Sequence, residues 1–368
     1  MFTNRENDAI ITNGQLYPEV NWAIMEDTNG RTEKERTLSP RYSRALIIAV
    51  SVILSSVLVT LSALDTKGIF SLFLIGTAAA VMSFGLFVTR STMVFLSVPL
   101  SAAASIVITL NAYAMINTLM TAVSCIALTY CAYKRKQRTD TVILISSAAI
   151  YVFVVCSAVT ILLESGTFTG ETIMAYLRDI LEPIRIILSN TSIVNPDGEI
   201  IYFYTAEQVE LIVRYAMTLL PSVIICAANL FSFFTSAVFH FIMKRFGIAK
   251  LLYTAGERGW GLKLSPVSAV IFAVSYLLAV LFRSDTLTAL PIVMINLLII
   301  LTPGFALVGM RDIIRRMQNS EEFSSSPFYL VALIFLIVIN PIACFILLAF
   351  FGVVVTFAES MRIRRTEN

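Results

Sequence analysis

Histidine occurs once in this chain, at His240, and that scarcity removes a block of chemistry at the outset. A zinc site of the HExxH kind needs two histidines one helical turn apart, so none is encoded. The glycine signatures are missing as well: there is no GxSxG nucleophile elbow, no Walker A loop and no GxGxxG. Charge is equally thin, at 14% of residues against 57% hydrophobic ones, a balance that excludes an ordinary soluble domain. No acidic residue lies deep in the long apolar runs that supply spans one to eight below, which argues against a proton-relay pump or an intramembrane aspartyl protease. The five cysteines (Cys125, Cys131, Cys156, Cys226 and Cys344) all fall inside apolar runs, where they read as small hydrophobes rather than a disulfide framework. No metal, cofactor or nucleic-acid partner is expected, and no enzyme.

What is present is length of apolar chain. A transmembrane helix needs about 20 mostly apolar residues to cross about 30 Å of hydrocarbon, and this sequence supplies many such runs. The expected fold is all-α, a polytopic transmembrane helical bundle of about eight full spans plus a C-terminal helical hairpin. Residues 1–44 are polar and lack the apolar core of a cleaved signal peptide, so they read as a disordered cytoplasmic tail. The membrane domain runs over 45–358 and a basic tail over 359–368.

The spans are expected at about 45–64, 68–88, two within 91–133 that divide near Asn111, then 141–163, 214–247, 265–282 and 286–308. Thr89, Arg90 and Ser91 form the short connection between the second and the third, giving a tight helical hairpin. Ser265 followed by Pro266 is a favoured helix start, a cap with proline in the first turn. Asn340 followed by Pro341 is another, and it divides the last apolar stretch into two arms at 327–339 and 341–357.

Basic residues fix the expected orientation. Arg36, Arg41 and Arg44 precede the first span; Lys134, Arg135, Lys136 and Arg138 follow the fourth; Lys244, Arg245, Lys250, Arg258 and Lys263 follow the sixth. With alternating connections all of these share one side. The opposite side carries residues 164–206, rich in acid. Both termini are therefore expected in the cytoplasm, with the C-terminal hairpin returning Arg362, Arg364 and Arg365 there.

Four features are candidates for function. On the sixth span, Ser222, Asn229, Ser236 and His240 fall within about 40° of one another at 100° per residue, a polar stripe on an otherwise apolar helix. Such a stripe faces protein or water, so each residue is either a ligand contact or a helix-to-helix contact. His240 also fits the cytoplasmic headgroup boundary, and Pro221 frees a carbonyl near the outer end. In the outer segment, Ile173, Leu177, Ile180, Leu181 and Ile184 recur at helical spacing, the mark of an interfacial amphipathic helix bent or broken at Pro183. Its Arg178 and Arg185 would meet an anionic ligand under a lid, or Arg178 would simply pair with Glu182. Ser51 and Ser55 on the first span, and Ser97, Ser101, Ser105 and Thr109 on the third, form small-residue faces for packing within the chain or against a partner subunit. On the eighth span, Asn296 precedes the Thr302–Pro303–Gly304 sequence, which reads as a kink or a break opening a cavity.

The stretch "LLPSVIICAANLFSFFTSAVFHFIMKRFG" (219–247), the stretch "GWGLKLSPVSAVIFAVSYLLAV" (259–280) after a short basic loop, and the final hairpin with its arginine-rich tail together resemble the YybS-like family of predicted bacterial membrane proteins from Firmicutes. The layout is also similar to the substrate-capture subunits of energy-coupling-factor vitamin transporters. That resemblance implies a protein of the bacterial cytoplasmic membrane with the Ser51 and Ser55 face turned to an energising partner and Ser222 and Asn229 near a ligand. The chain is longer than that pattern, with extra spans and an acidic outer loop. The expected function is thus a small-molecule-binding, transport-type membrane component lacking its own ATPase. The alternative is a non-transporting scaffold or regulator of envelope or signalling proteins. An intramembrane enzyme would rest on Ser236 and His240 alone.

Overall fold

The computed structural model describes residues 44–65, 70–109, 114–134, 136, 138–194, 200–248, 264–282, 289–319 and 340–367. The expected N-terminal tail and the first arm of the C-terminal hairpin, 327–339, lie outside the described residues. Ten α-helices follow in order: α1 (Arg44–Leu64), α2 (Ser71–Thr89), α3 (Ser97–Thr109), α4 (Ala114–Tyr133), α5 (Arg138–Ser165), α6 (Gly170–Asn190), α7 (Ala206–Arg245), α8 (Pro266–Leu281), α9 (Ala289–Asn319) and α10 (Pro341–Glu367). Two short strands, β1 (Ser192–Val194) and β2 (Ile200–Tyr202), pair antiparallel between α6 and α7, with Ser192 opposite Tyr202.

Eight of the described helical segments are long and apolar enough to cross a membrane. The way burial is distributed says the same. On α1 the buried residues are Ser51, Ser55, Ser56, Val59 and Ser62, while Val50, Ile53, Leu54 and Val57 point outward. A water-soluble helix would bury the aliphatic side chains and expose the serines. This one does the reverse, because lipid is as apolar as leucine and small polar residues let helices approach closely. The chain is an integral, multi-pass membrane protein.

Local sequence explains where the helices begin and end. Arg90, in the left-handed region at φ 50°, closes α2, and the Ser91 hydroxyl then accepts the Met93 N–H at 3.4 Å. A 3₁₀ turn over Thr92–Leu96 leads straight into α3, which accounts for the tight hairpin. The Ser265 hydroxyl accepts the Val267 N–H at 3.2 Å to start α8, and the Asn340 side chain accepts the Ala343 N–H at 3.0 Å to start α10.

Two expectations change and three details are added. With 16 residues, α8 is about 24 Å long at 1.5 Å per residue, short of a full crossing, and α10 takes its place among the eight long helices. The expected tail at 359–368 is helical as far as Glu367, as the last part of α10. Pro183 does not break α6, nor does Pro303 break α9. Finally, α7 starts at Ala206 rather than near 214, because Thr205 and Gln208 form a capping box in which each side chain accepts the other's backbone N–H. Its 40 residues span about 60 Å, roughly twice the hydrocarbon thickness, so one end of α7 stands clear of the membrane.

Two packing centres hold the bundle. The larger gathers α2, α4, α5 and α7 around Phe84, Leu128, Ile145, Phe231 and Phe239. The second joins α8, α9 and α10 around Phe272, Phe305 and Leu348. Val142, Val308 and Val355, with Phe233 packed against them, connect the two. The α9–α10 contact is backbone on backbone: a Cβ at Gly352 would run into the Phe305 carbonyl, and one at Gly309 into the Leu348 carbonyl.

Candidate functional site

The polar stripe of α7 does not converge on one site. From Ser222 to His240 is 18 residues, about 27 Å of helix, and the four side chains meet three different surroundings. The Ser222 hydroxyl donates to the Leu219 carbonyl at 2.7 Å within its own helix. Asn229 Oδ1 accepts from the Ser146 hydroxyl at 2.8 Å, tying α7 to α5. Ser236 and His240 instead line a small cavity at the end where α5 begins and α7 finishes. This is the basic end of the bundle, with Lys134, Lys136, Arg138, Lys244 and Arg245 around it.

Asn296 on α9 also bonds between helices. Its Nδ2 donates to the Thr218 carbonyl of α7 at 3.2 Å and to the Ile292 carbonyl at 2.9 Å, while its buried Oδ1 has no hydrogen-bond partner. The Thr218 carbonyl is next to that of Met217, which Pro221 deprives of its usual donor. The serines at 51, 55, 97, 101 and 105 are all buried inside the chain. Ser51 packs against Gly85 of α2, and the Ser56 hydroxyl reaches the Ser97 carbonyl of α3 at 3.4 Å.

A cleft opens at the opposite end. There α6, β2 and the protruding start of α7 border an open cleft of about 490 Å³, lined by Arg185, Ser189, Tyr202, Tyr204, Thr205 and Glu210 among others. Leu181 of α6 is buried against Val209 and Val213 of α7, which sets the spacing of the walls. The helix expected from the apolar spacing of 173–184 is thus present, begun by a second capping box at Thr169 and Thr172. Arg185 approaches Glu182 at 3.4 Å, with both side chains about half exposed, so Glu182 pairs there rather than with Arg178. Ion pairs this exposed are worth about 0–1 kcal/mol, and the Arg185 guanidinium can leave one for a ligand. Arg178 is exposed and does not line the cleft.

Sequence reading found Arg185 but missed Ser189, Tyr202, Tyr204 and Glu210. The signal within reach was the Thr205–Gln208 capping box, which extends α7 and places Glu210 in its second turn. Among the described residues no group of histidine, cysteine and acidic side chains is arranged to hold a metal ion, and the five cysteines are free. No family model, curated protein or solved structure matches this chain.

Proposed function

We propose that this chain is a small-molecule-binding, transport-type component of the bacterial cytoplasmic membrane that has no ATPase of its own and relies on partner subunits for energy. The observation that carries the reading is the cleft between α6, the hairpin and the protruding end of α7. Its volume of about 490 Å³ falls in the range of about 300–1,000 Å³ typical of ligand pockets. Its lining is chemically suited to a small polar molecule. Arg185 offers a fork for a carboxylate or phosphate, Glu210 an acceptor for an amine, and Tyr202 and Tyr204 flat amphipathic surfaces. The resemblance to the YybS-like family and to substrate-capture subunits supports the same reading, as does the acidic, non-cytoplasmic side assigned to this segment by charge.

The deciding experiment is native mass spectrometry of the tagged chain, gently extracted from its host membrane. A defined small molecule, released when Arg185→Ala and Tyr204→Ala are combined, is the expected result. A chain that carries no small molecule and only envelope or signalling proteins would instead establish the scaffold.

A further inference from the structure

We infer that the cavity at the basic end of the bundle binds a phosphate-class oxyanion, supplied either as a soluble phosphate or as a lipid headgroup. This site lies at the opposite end of α5 and α7 from the cleft and stands whether or not the cleft takes a ligand.

The cavity is formed where α4, α5 and α7 meet, and its polar lining is Lys136, Arg138, Thr141, Ser236 and His240. Three nitrogen donors therefore converge from separate places in the chain: the α4–α5 connection, the first turn of α5 and the last turns of α7. Two hydroxyls, those of Thr141 and Ser236, complete the polar lining. Among the described residues no carboxylate lines it. Asp140, the nearest acid in sequence to Arg138, is exposed, and Lys244 adds positive charge one turn beyond His240.

Arg138 is the anchor. It is only 8% exposed, and its guanidinium carbon sits 4.9 Å over the Phe233 ring. Stacking on an aromatic face fixes the plane of the guanidinium, which then presents a preorganised fork of donors suited to phosphate oxygens. Because Arg138 and Thr141 belong to the first turn of the 28-residue α5, the positive end of that helix faces the same space. Size suits one phosphate group. About 40 Å³ is room for roughly three water molecules, enough for the oxygens of one phosphate group. The location agrees with this chemistry, since positive charge at a membrane boundary attracts anionic headgroups.

The test uses the full chain in neutral detergent. Its thermal unfolding is followed while inorganic phosphate, or separately phosphatidylglycerol mixed into the micelles, is titrated at ionic strength matched with chloride. At least one of the two raises the unfolding midpoint of the wild type. Lys136 is exposed, so Lys136→Gln folds normally, and it weakens the apparent affinity about tenfold, the effect of one charge-assisted hydrogen bond. A response to phosphate assigns a soluble ligand, and a response to phosphatidylglycerol alone assigns a headgroup. The inference is overturned if neither moves the wild type, or if wild type, Lys136→Gln and His240→Gln respond with equal affinity. Arg138→Gln is included as the stronger lesion, and the comparison rests on the other two variants if it does not fold.

Discussion

Asn229 and Gly352 show how single positions serve the bundle. The Asn229 carbonyl oxygen accepts the Ser146 hydroxyl across the α5–α7 contact, within the apolar runs of both helices. Replacing it by leucine removes that bond, and Ser146 falls back on a carbonyl of its own helix. The expected loss for Asn229→Leu is about 0.5–2 kcal/mol, the range for polar contacts between membrane helices. It would be read as a lowered unfolding midpoint in detergent, with ligand occupancy of the cleft unchanged. A stabilised variant would mean that the contact is not formed in the membrane. At Gly352 the obstacle is backbone, since the Phe305 carbonyl of α9 occupies the space of a side chain. Gly352→Ala therefore forces α9 and α10 apart at about 1–3 kcal/mol or more. Gly170, with nothing within 4 Å of its missing Cβ, is the matched control. Size-exclusion profiles of the two alanine variants in detergent should show aggregation for Gly352→Ala and a wild-type peak for Gly170→Ala.

At the scale of elements, the outer end of α7 is held by the Thr205–Gln208 capping box and by Leu181, Val209 and Val213. Thr205→Ala removes one cap, worth about 0.5–2 kcal/mol, and should fray the first turns of α7 without disturbing its membrane part. Hydrogen exchange reports this directly: faster exchange over 206–213 is expected, with 222–240 unchanged. Uniform exchange along the helix would mean that the protruding end is held by something other than its cap. This protruding end also shows where the sequence was hard to read. The apolar runs of the membrane segments announce themselves, because twenty apolar residues have few other destinations. The helix start at 206 depends on two polar side chains, Thr205 and Gln208, whose signal is drowned by the acidic residues around them. For the same reason Arg185 was visible as one of two arginines on a helix face, but Tyr202, Tyr204 and Glu210 were not visible as its neighbours. The pairing of β1 with β2 and the start of α7 bring them beside it, and no period in the sequence encodes that placement. The fate of the stripe on α7 was likewise open. Periodicity placed Ser222, Asn229, Ser236 and His240 on one face, whereas only packing decides that Asn229 meets Ser146 while His240 meets a cavity.

For the molecule as a whole, the two polar features lie at opposite ends of the same helices, and their positions can be tied to the two sides of the membrane. Because α5 and α7 run antiparallel through the Ser146–Asn229 contact, Arg138 and His240 belong to one end and Ser165 and Ala206 to the other. Lys134, Lys136, Arg138, Lys244 and Arg245 concentrate positive charge at the first end, which the positive-inside rule assigns to the cytoplasm. On that assignment the cleft is expected to face outward. Exposed Ser189, beside the cleft, and exposed Lys136, beside the basic cavity, can each be replaced by cysteine. In a cysteine-free background, a membrane-impermeant maleimide added to intact cells should label Ser189→Cys and leave Lys136→Cys untouched until the membrane is opened. The reverse pattern would put the cleft in the cytoplasm, where a capture site for uptake has no purpose. The oxyanion cavity would then face outward, and phosphate would reach it from the medium. Labelling of both in intact cells would mean that α5 or α7 does not cross. That would contradict lengths of 28 and 40 residues, the longer about twice what a crossing requires.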